Sequence, residues 1–268
     1  NYSALVRDIF TKNGIPINLS DRITLDSSFP VTAILNFLKI SESDFYYQNV
    51  FRAVNSGFID LSQINFSNLY KVASELKIVS GKERWINSIK DVLTSTQLSI
   101  DYDEEVMNQK IISYQKALSD IQYIIDILKP FEGSNTINQF VEKLFNLISS
   151  SQIASLILNI GDDKEKNIRG FANFIDTIIE IFELLKEEYG ENKTFGLKFF
   201  IDQIRTMCGW ARFNVKEKSN CGVLVTSLNE IRGLRFNCIF IGGLCDGDLP
   251  TRYKPEIFFS GSFKKKAV

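Results

Sequence analysis

Between Ile111 and Leu128 the residues Ile111, Tyr114, Leu118, Ile121, Ile125 and Leu128 recur at steps of three or four, and Pro130 ends the run. Only an α-helix gathers positions at that spacing onto one stripe, and the stripe must be buried against another element. The pattern repeats along the chain. Phe45, Val50, Phe51 and Val54 precede Gly57; Leu69, Val72, Ala73 and Leu76 precede Gly81; and Trp85, Ile89, Val92 and Leu93 make a third stripe. Thr136 and Gln139 form a capping-box pair ahead of Ile137, Phe140, Val141, Leu144 and Ile148. Two further stripes follow: Ile168, Phe171, Ile175, Ile178, Phe182 and Leu185, then Leu197, Phe200, Ile204 and Met207. Residues 42–208 therefore read as almost wholly helical, with Gly161–Asn167 as a mobile polar connection. Such stripes are core, and no chemistry is assigned to them.

The two ends differ in style. Leu5, Val6, Ile9 and Phe10 line one face of a helix that Gly14 stops, and Ile15–Leu19 reads as a short strand with Pro16 at its start. A helix opened by Ser28 and Pro30 carries Val31, Ile34, Leu35 and Leu38 inward. Beyond Gly222, Val223-Leu224-Val225 reads as a buried strand, Asn229–Gly233 as a turn, and Cys238–Ile241 as a second buried strand. Continuous apolar strands of this kind belong to a parallel sheet covered on both faces. Sheet fragments at both ends with helices between them describe one α/β domain interrupted by a helical insertion.

Composition removes whole classes of function. The chain has 268 residues, 44% apolar and 24% charged, and its net charge of -1 excludes a histone-like electrostatic binder while leaving room for a local basic groove. There is no histidine, so Ser-His-Asp and Cys-His catalysis and every His-containing metal site are excluded. The four cysteines, Cys208, Cys221, Cys238 and Cys245, are 13, 17 and 7 residues apart and form no C-x-x-C pair, so they read as reduced core thiols rather than metal ligands. No apolar run approaches the roughly 18 residues of a membrane span and no secretion segment opens the chain, so the expectation is a cytoplasmic protein with no membrane partner.

The informative stretch is Val223–Pro250. It carries Val223-Leu224-Val225, Thr226-Ser227-Leu228-Asn229, Arg232-Gly233-Leu234-Arg235-Phe236, Cys238–Ile241, Gly243-Leu244, Asp246-Gly247 and Pro250. This order resembles motif V of superfamily 1 helicases of the UvrD/RecB type, and Phe10–Leu19 resembles the stretch after motif IV. Asn49–Gly57, Leu69-Tyr70 and Gly81–Trp85 are similar to segments of the B subunit (AddB/RexB-like) of ATP-dependent helicase–nucleases. The resemblance implies a RecA-like 2A-type α/β domain, incomplete here, made of residues 1–40 and 215–268. Its small parallel sheet would be interrupted by an all-helical 2B-like insertion over 41–214.

The departures from the motor pattern are specific. Asn229 stands where an active motor has histidine, and Arg235 where it has the glutamate facing the nucleotide ribose, which reverses the hydrogen-bonding role at that position. Ser80-Gly81-Lys82 lacks the rest of a phosphate loop, and no nuclease signature or pair of motif VI arginines is present. The resemblance thus implies a catalytically degenerate, helicase-like piece of a protein acting in double-strand break repair. It would have no catalytic, cofactor or metal site of its own, with ATP and Mg belonging to the full complex. Carried over by position, Ser227 and Asn229 face phosphates of single-stranded DNA, with Arg232 and Arg235 adding charge. The alternative is that Ser227 and Asn229 only shape the strand-to-turn junction, against which stands the charge that Arg232 and Arg235 gather at the same turn. Two other readings stay open: a pure protein–protein module docking an active helicase–nuclease partner subunit, and the second half of a UvrD-like motor. The Lys264–Lys266 end reads as a solvated terminus.

Overall fold

The Ile111–Leu128 stripe lies in one long helix, Glu104–Leu128, closed by a 3₁₀ turn at Lys129–Phe131 that contains Pro130. In the computed structural model, residues 3–19, 22–98, 104–159, 164–214 and 222–245 are described. They divide into two units, Asn1–Val225 and Thr226–Val268, and nearly all regular structure belongs to the first. Its helices among the described residues are α1 (Ser3–Lys12), α2 (Phe29–Glu42), α3 (Tyr47–Val54), α4 (Phe66–Glu75), α5 (Lys82–Leu98), α6 (Glu104–Leu128), α7 (Ile137–Ser150), α8 (Ile153–Asn159), α9 (Lys164–Tyr189) and α10 (Leu197–Trp210).

The helices form because their apolar faces find one another. Helix α2 buries Val31, Ala33, Ile34, Leu35, Phe37, Leu38 and Ile40, an apolar surface nearly all the way round, and it packs against α3, α9 and α10. The main helix of residues 1–40 is therefore a central post of the helical body. The turn from α2 into α3 takes Asp44 and Phe45 to φ of 49° and 55°, a region that bulky residues rarely enter. It is held from several sides. The Phe45 N–H donates to the Ile40 carbonyl (2.8 Å), the Gly81 N–H to the Asp44 carbonyl (2.7 Å), and the buried Trp85 indole N–H to the Phe45 carbonyl (2.8 Å).

A pair of three-residue strands joins the starts of two helices in the second half. β3 (Ser134–Thr136) runs directly into α7 and β4 (Thr194–Gly196) directly into α10, pairing antiparallel with Ser134 opposite Gly196, Asn135 opposite Phe195 and Thr136 opposite Thr194. The capping box forms as expected: the Gln139 N–H donates to the Thr136 hydroxyl and the Thr136 N–H to the Gln139 side-chain carbonyl. One turn into each helix, Phe140 and Phe200 stack with centroids 4.1 Å apart and planes 5° apart.

At the ends of the first unit, β1 (Ile17–Leu19) pairs in parallel with β6 (Val223–Val225), Ile17 opposite Val223, while β2 (Arg22–Thr24) pairs antiparallel with β5 (Arg212–Asn214). A parallel pair joining the two ends of the sequence is what the strand reading requires. Gly222 makes it possible: at φ +103° its missing side chain would lie 2.7 Å from the Pro16 carbonyl carbon and nearer still to its oxygen.

Several expectations are corrected. The strand expected from Ile15 begins at Ile17, while the strand expected at Val223-Leu224-Val225 is present with those bounds. Val223 and Leu224 are exposed rather than buried. Residues 238–241 form no strand, and Phe240 is 92% exposed. The reason is physical: two short strands cannot enclose their own faces, and among the described residues β6 pairs only with β1. Leu5 and Ile9 of α1, the helix beside β1, are exposed as well. Ile168 is also exposed, while Phe174 and Ile181 fill the face of α9 that the stripe had not included. Lys164–Asn167 is the first turn of α9 rather than loop, and residues 160–163 lie outside the described residues.

Candidate nucleic-acid interface

The residues carried over for DNA contact belong to the unit that begins at Thr226, in and beside one irregular turn spanning Leu228–Gly233. Two backbone bonds close it, from the Glu230 N–H to the Ser227 carbonyl (3.1 Å) and from the Leu234 N–H to the Ile231 carbonyl (3.1 Å). Gly233 supplies the left-handed step at φ +78°. The side-chain brace is Thr226, whose hydroxyl donates to the Glu230 carboxylate four residues on.

This arrangement bears on the two roles open to Ser227 and Asn229. Neither side chain has a hydrogen bond among the described residues, whereas the Thr226 and Glu230 side chains meet across the turn. Ser227, Asn229, Arg232 and Arg235 are all exposed, and neither guanidinium has an ion pair among the described residues. The turn therefore presents a hydroxyl, an amide and two full positive charges to solvent, donor types suited to a phosphate backbone. Thr226 and Glu230 are the pair the sequence reading missed, although their i, i+4 spacing was visible.

Other sequence candidates resolve differently. Gly81-Lys82 does open a helix, but its donors are engaged: Asp44 accepts from the Gly81 N–H through its carbonyl and from the Lys82 N–H through its carboxylate (3.1 Å). The Lys82 ammonium donates to Glu132 at 2.6 Å. A carboxylate thus occupies the position a phosphate would need. Cys208 is buried as a core thiol, its pKa pushed up to about 12 by burial and secondarily by Asp26, whereas Cys238 and Cys245 are exposed, against the core reading. Among the described residues no group of three or more Cys, Asp or Glu is placed to hold a metal ion, and no helix is long and apolar enough to cross a membrane. Cys221, Asp246-Gly247, Pro250 and the Lys264–Lys266 run lie outside the described residues.

No family model matches the chain. Individual relatives do. The chain is 24% identical over 259 residues to a Thermoanaerobacter protein named as the B subunit of an ATP-dependent helicase/deoxyribonuclease, a match covering 93% of this chain. It is similar to helicase/deoxyribonuclease B subunits. Proteins of the same name from Clostridium botulinum (21% over 276 residues, 98% of the chain) and Caldanaerobacter subterraneus (23% over 270 residues, 97%) agree. The matches run through the helical body as well as the turn, which accords with the segment likenesses at Asn49–Gly57 and Gly81–Trp85. The chain spans about 22% of the length of the B subunits it matches.

Proposed function

We propose that this chain is part of a helicase–nuclease B subunit in which a catalytically silent, helicase-like 2A/2B region handles single-stranded DNA beside an active partner subunit, in the cytoplasm, during double-strand break repair. In this reading residues 1–40 and 215–268 descend from a RecA-like 2A domain and 41–214 from the helical insertion. ATP and Mg would act elsewhere in the assembly. The observation that carries the proposal is the Thr226–Arg235 turn. Thr226 and Glu230 brace it, leaving Ser227, Asn229, Arg232 and Arg235 outward and unpaired among the described residues.

Contacts made through phosphates are weak, sequence-tolerant and strongly salt-dependent. Fluorescence anisotropy with labelled thymidine and mixed-sequence oligonucleotides tests this. Arg232→Ala and Arg235→Ala should each weaken binding on all sequences alike and shallow the salt slope by about 0.7 per lost phosphate contact. Unchanged slopes in both variants, with melting temperatures preserved, would remove the turn from the DNA path.

A second reading has its own observation. Leu234, Ile239, Phe240, Ile241 and Leu244 are all at least half exposed in the unit beginning at Thr226. An apolar run of that kind is what a contact between subunits uses. Tight binding of a partner subunit together with no salt-sensitive affinity for single strands would favour it.

A further inference from the structure

Within the unit Asn1–Val225, helices α3 and α4 carry an aromatic ledge. Tyr70, half exposed, meets Phe51 edge-on at 5.1 Å and lies nearly parallel to Phe66 at 6.3 Å; Phe51 in turn meets Tyr47 edge-on at 6.5 Å. Beside this ledge opens a cavity of about 210 Å³, lined by Tyr47, Phe51, Ala73, Ser74, Lys77 and Val79 among others. Tyr70 and Ser74 stand at i and i+4 of α4, so the exposed ring and the cavity wall share one stripe, and Lys77 follows just beyond the helix end at the same cavity. Lys77 is exposed and has no ion pair among the described residues, whereas its neighbour Glu75 is engaged by the Tyr114 hydroxyl at 2.8 Å.

Size and charge select the occupant. Cofactor pockets run to about 300–1,000 Å³, so this one has room for a single ring system. The exposed Tyr70 ring beside the cavity and the Tyr47 ring in its lining suit a flat π-surface, and the Lys77 ammonium, without an ion pair among the described residues, suits an anion attached to it. A base carried on a phosphate backbone supplies both. We infer that the Tyr47–Phe51–Tyr70 ledge, with its cavity and Lys77, holds one unstacked base of single-stranded nucleic acid and its adjoining phosphate. The inference rests on the single-strand reading proposed above and adds a second contact, made by residues other than those of the arginine turn. Lys77 also follows the C-terminus of α4, where a cation offsets the helix dipole, so its test must read nucleic acid rather than stability.

The experiment uses the whole chain and a short thymidine oligonucleotide with one central 2-aminopurine, whose fluorescence falls when it stacks. The wild-type chain should quench it at low ionic strength. Tyr70→Ala should lose most of the quench and weaken affinity at least about fivefold, while Tyr70→Phe, which keeps the ring, should behave as wild type. Lys77→Gln should retain the quench and shallow the salt slope by about 0.7. Arg232→Ala and Arg235→Ala should leave the quench at saturation intact. If affinity falls only in the arginine variants while Tyr70→Ala and Lys77→Gln match wild type, the ledge is not a base site and the turn reading survives. Absence of any quench by the wild-type chain also overturns the inference.

Discussion

Gly170 is where α9 crosses the start of α2, and replacing it with alanine separates two opposed effects of similar size. In an open helix the change gains about 1 kcal/mol from helix propensity. Here the added Cβ would lie 2.9 Å from the Ser28 Cβ, nearer still to its hydroxyl oxygen, and 3.0 Å from the Phe213 ring. Ser28 cannot give way. It is fully buried, its N–H is bound to the Leu25 carbonyl at 3.0 Å, and its carbonyl accepts from the Thr32 N–H at 2.9 Å. Overpacking of this kind costs about 1–3 kcal/mol, so Gly170→Ala should be destabilising by up to about 2 kcal/mol after the propensity gain. Ser28→Gly removes both close atoms, and the Ser28 hydroxyl makes no side-chain capping bond to lose. The double variant should therefore recover most of the overpacking cost, a coupling of about 1–3 kcal/mol. Urea unfolding of the four proteins, with m-values compared, measures the cycle. A stabilised Gly170→Ala, or an equal loss in the Ser28→Gly background, would falsify the close-crossing argument.

Trp85→Phe should cost about 2–3 kcal/mol, because it strips the partner from the Phe45 carbonyl in the positive-φ turn and leaves a smaller ring in a closed site; urea unfolding reads it directly. Cys208 should resist thiol reagents in the native chain at pH 8 while Cys238 and Cys245 react, as mass spectrometry of the alkylated peptides will show. Because the folded Cys208 pKa of about 12 lies above its ordinary 9.0, the folded state holds a proton that the unfolded state releases. Stability should fall as pH rises between those values, and Cys208→Ala should flatten that part of the curve. Tyr114, raised from 10.0 to about 12 by burial and the Glu75 hydrogen bond, contributes in the same direction at the upper end.

The helical body could be read from sequence because its signal is local. The α6 stripe, the Thr136/Gln139 box and the Gly14 and Pro130 stops each act within a few residues, and each is in place. What failed depended on distant partners. Nothing in Cys238–Ile241 distinguishes a buried strand from an exposed apolar run, since the difference lies in whether another strand is there to pair. Phe174 and Ile181 escaped because α9 is enclosed over a wider arc than one stripe, which depends on what surrounds the helix. At the candidate site, the turn and its four outward residues were visible as a motif. The roles of Thr226 and Glu230 were not, because either could have been a solvated surface residue until their side chains were seen to meet.

The strand pair in the second half of the helical body has a consequence beyond packing. Helices α7 and α10 begin at Ile137 and Leu197, 60 positions apart. Exchanging each residue for the one 60 positions away returns the same set of strand partners. Asn135 opposite Phe195 stays itself, Ser134 opposite Gly196 trades places with Thr136 opposite Thr194, and Phe140 exchanges with Phe200, the ring on which it stacks. The pairing has the reciprocal form of an isologous interface, here between two segments of different sequence within one polypeptide. Each segment buries its phenylalanine against the other's. The stacked faces of Phe140 and Phe200 are thus taken up within the chain and are not free to receive another protein.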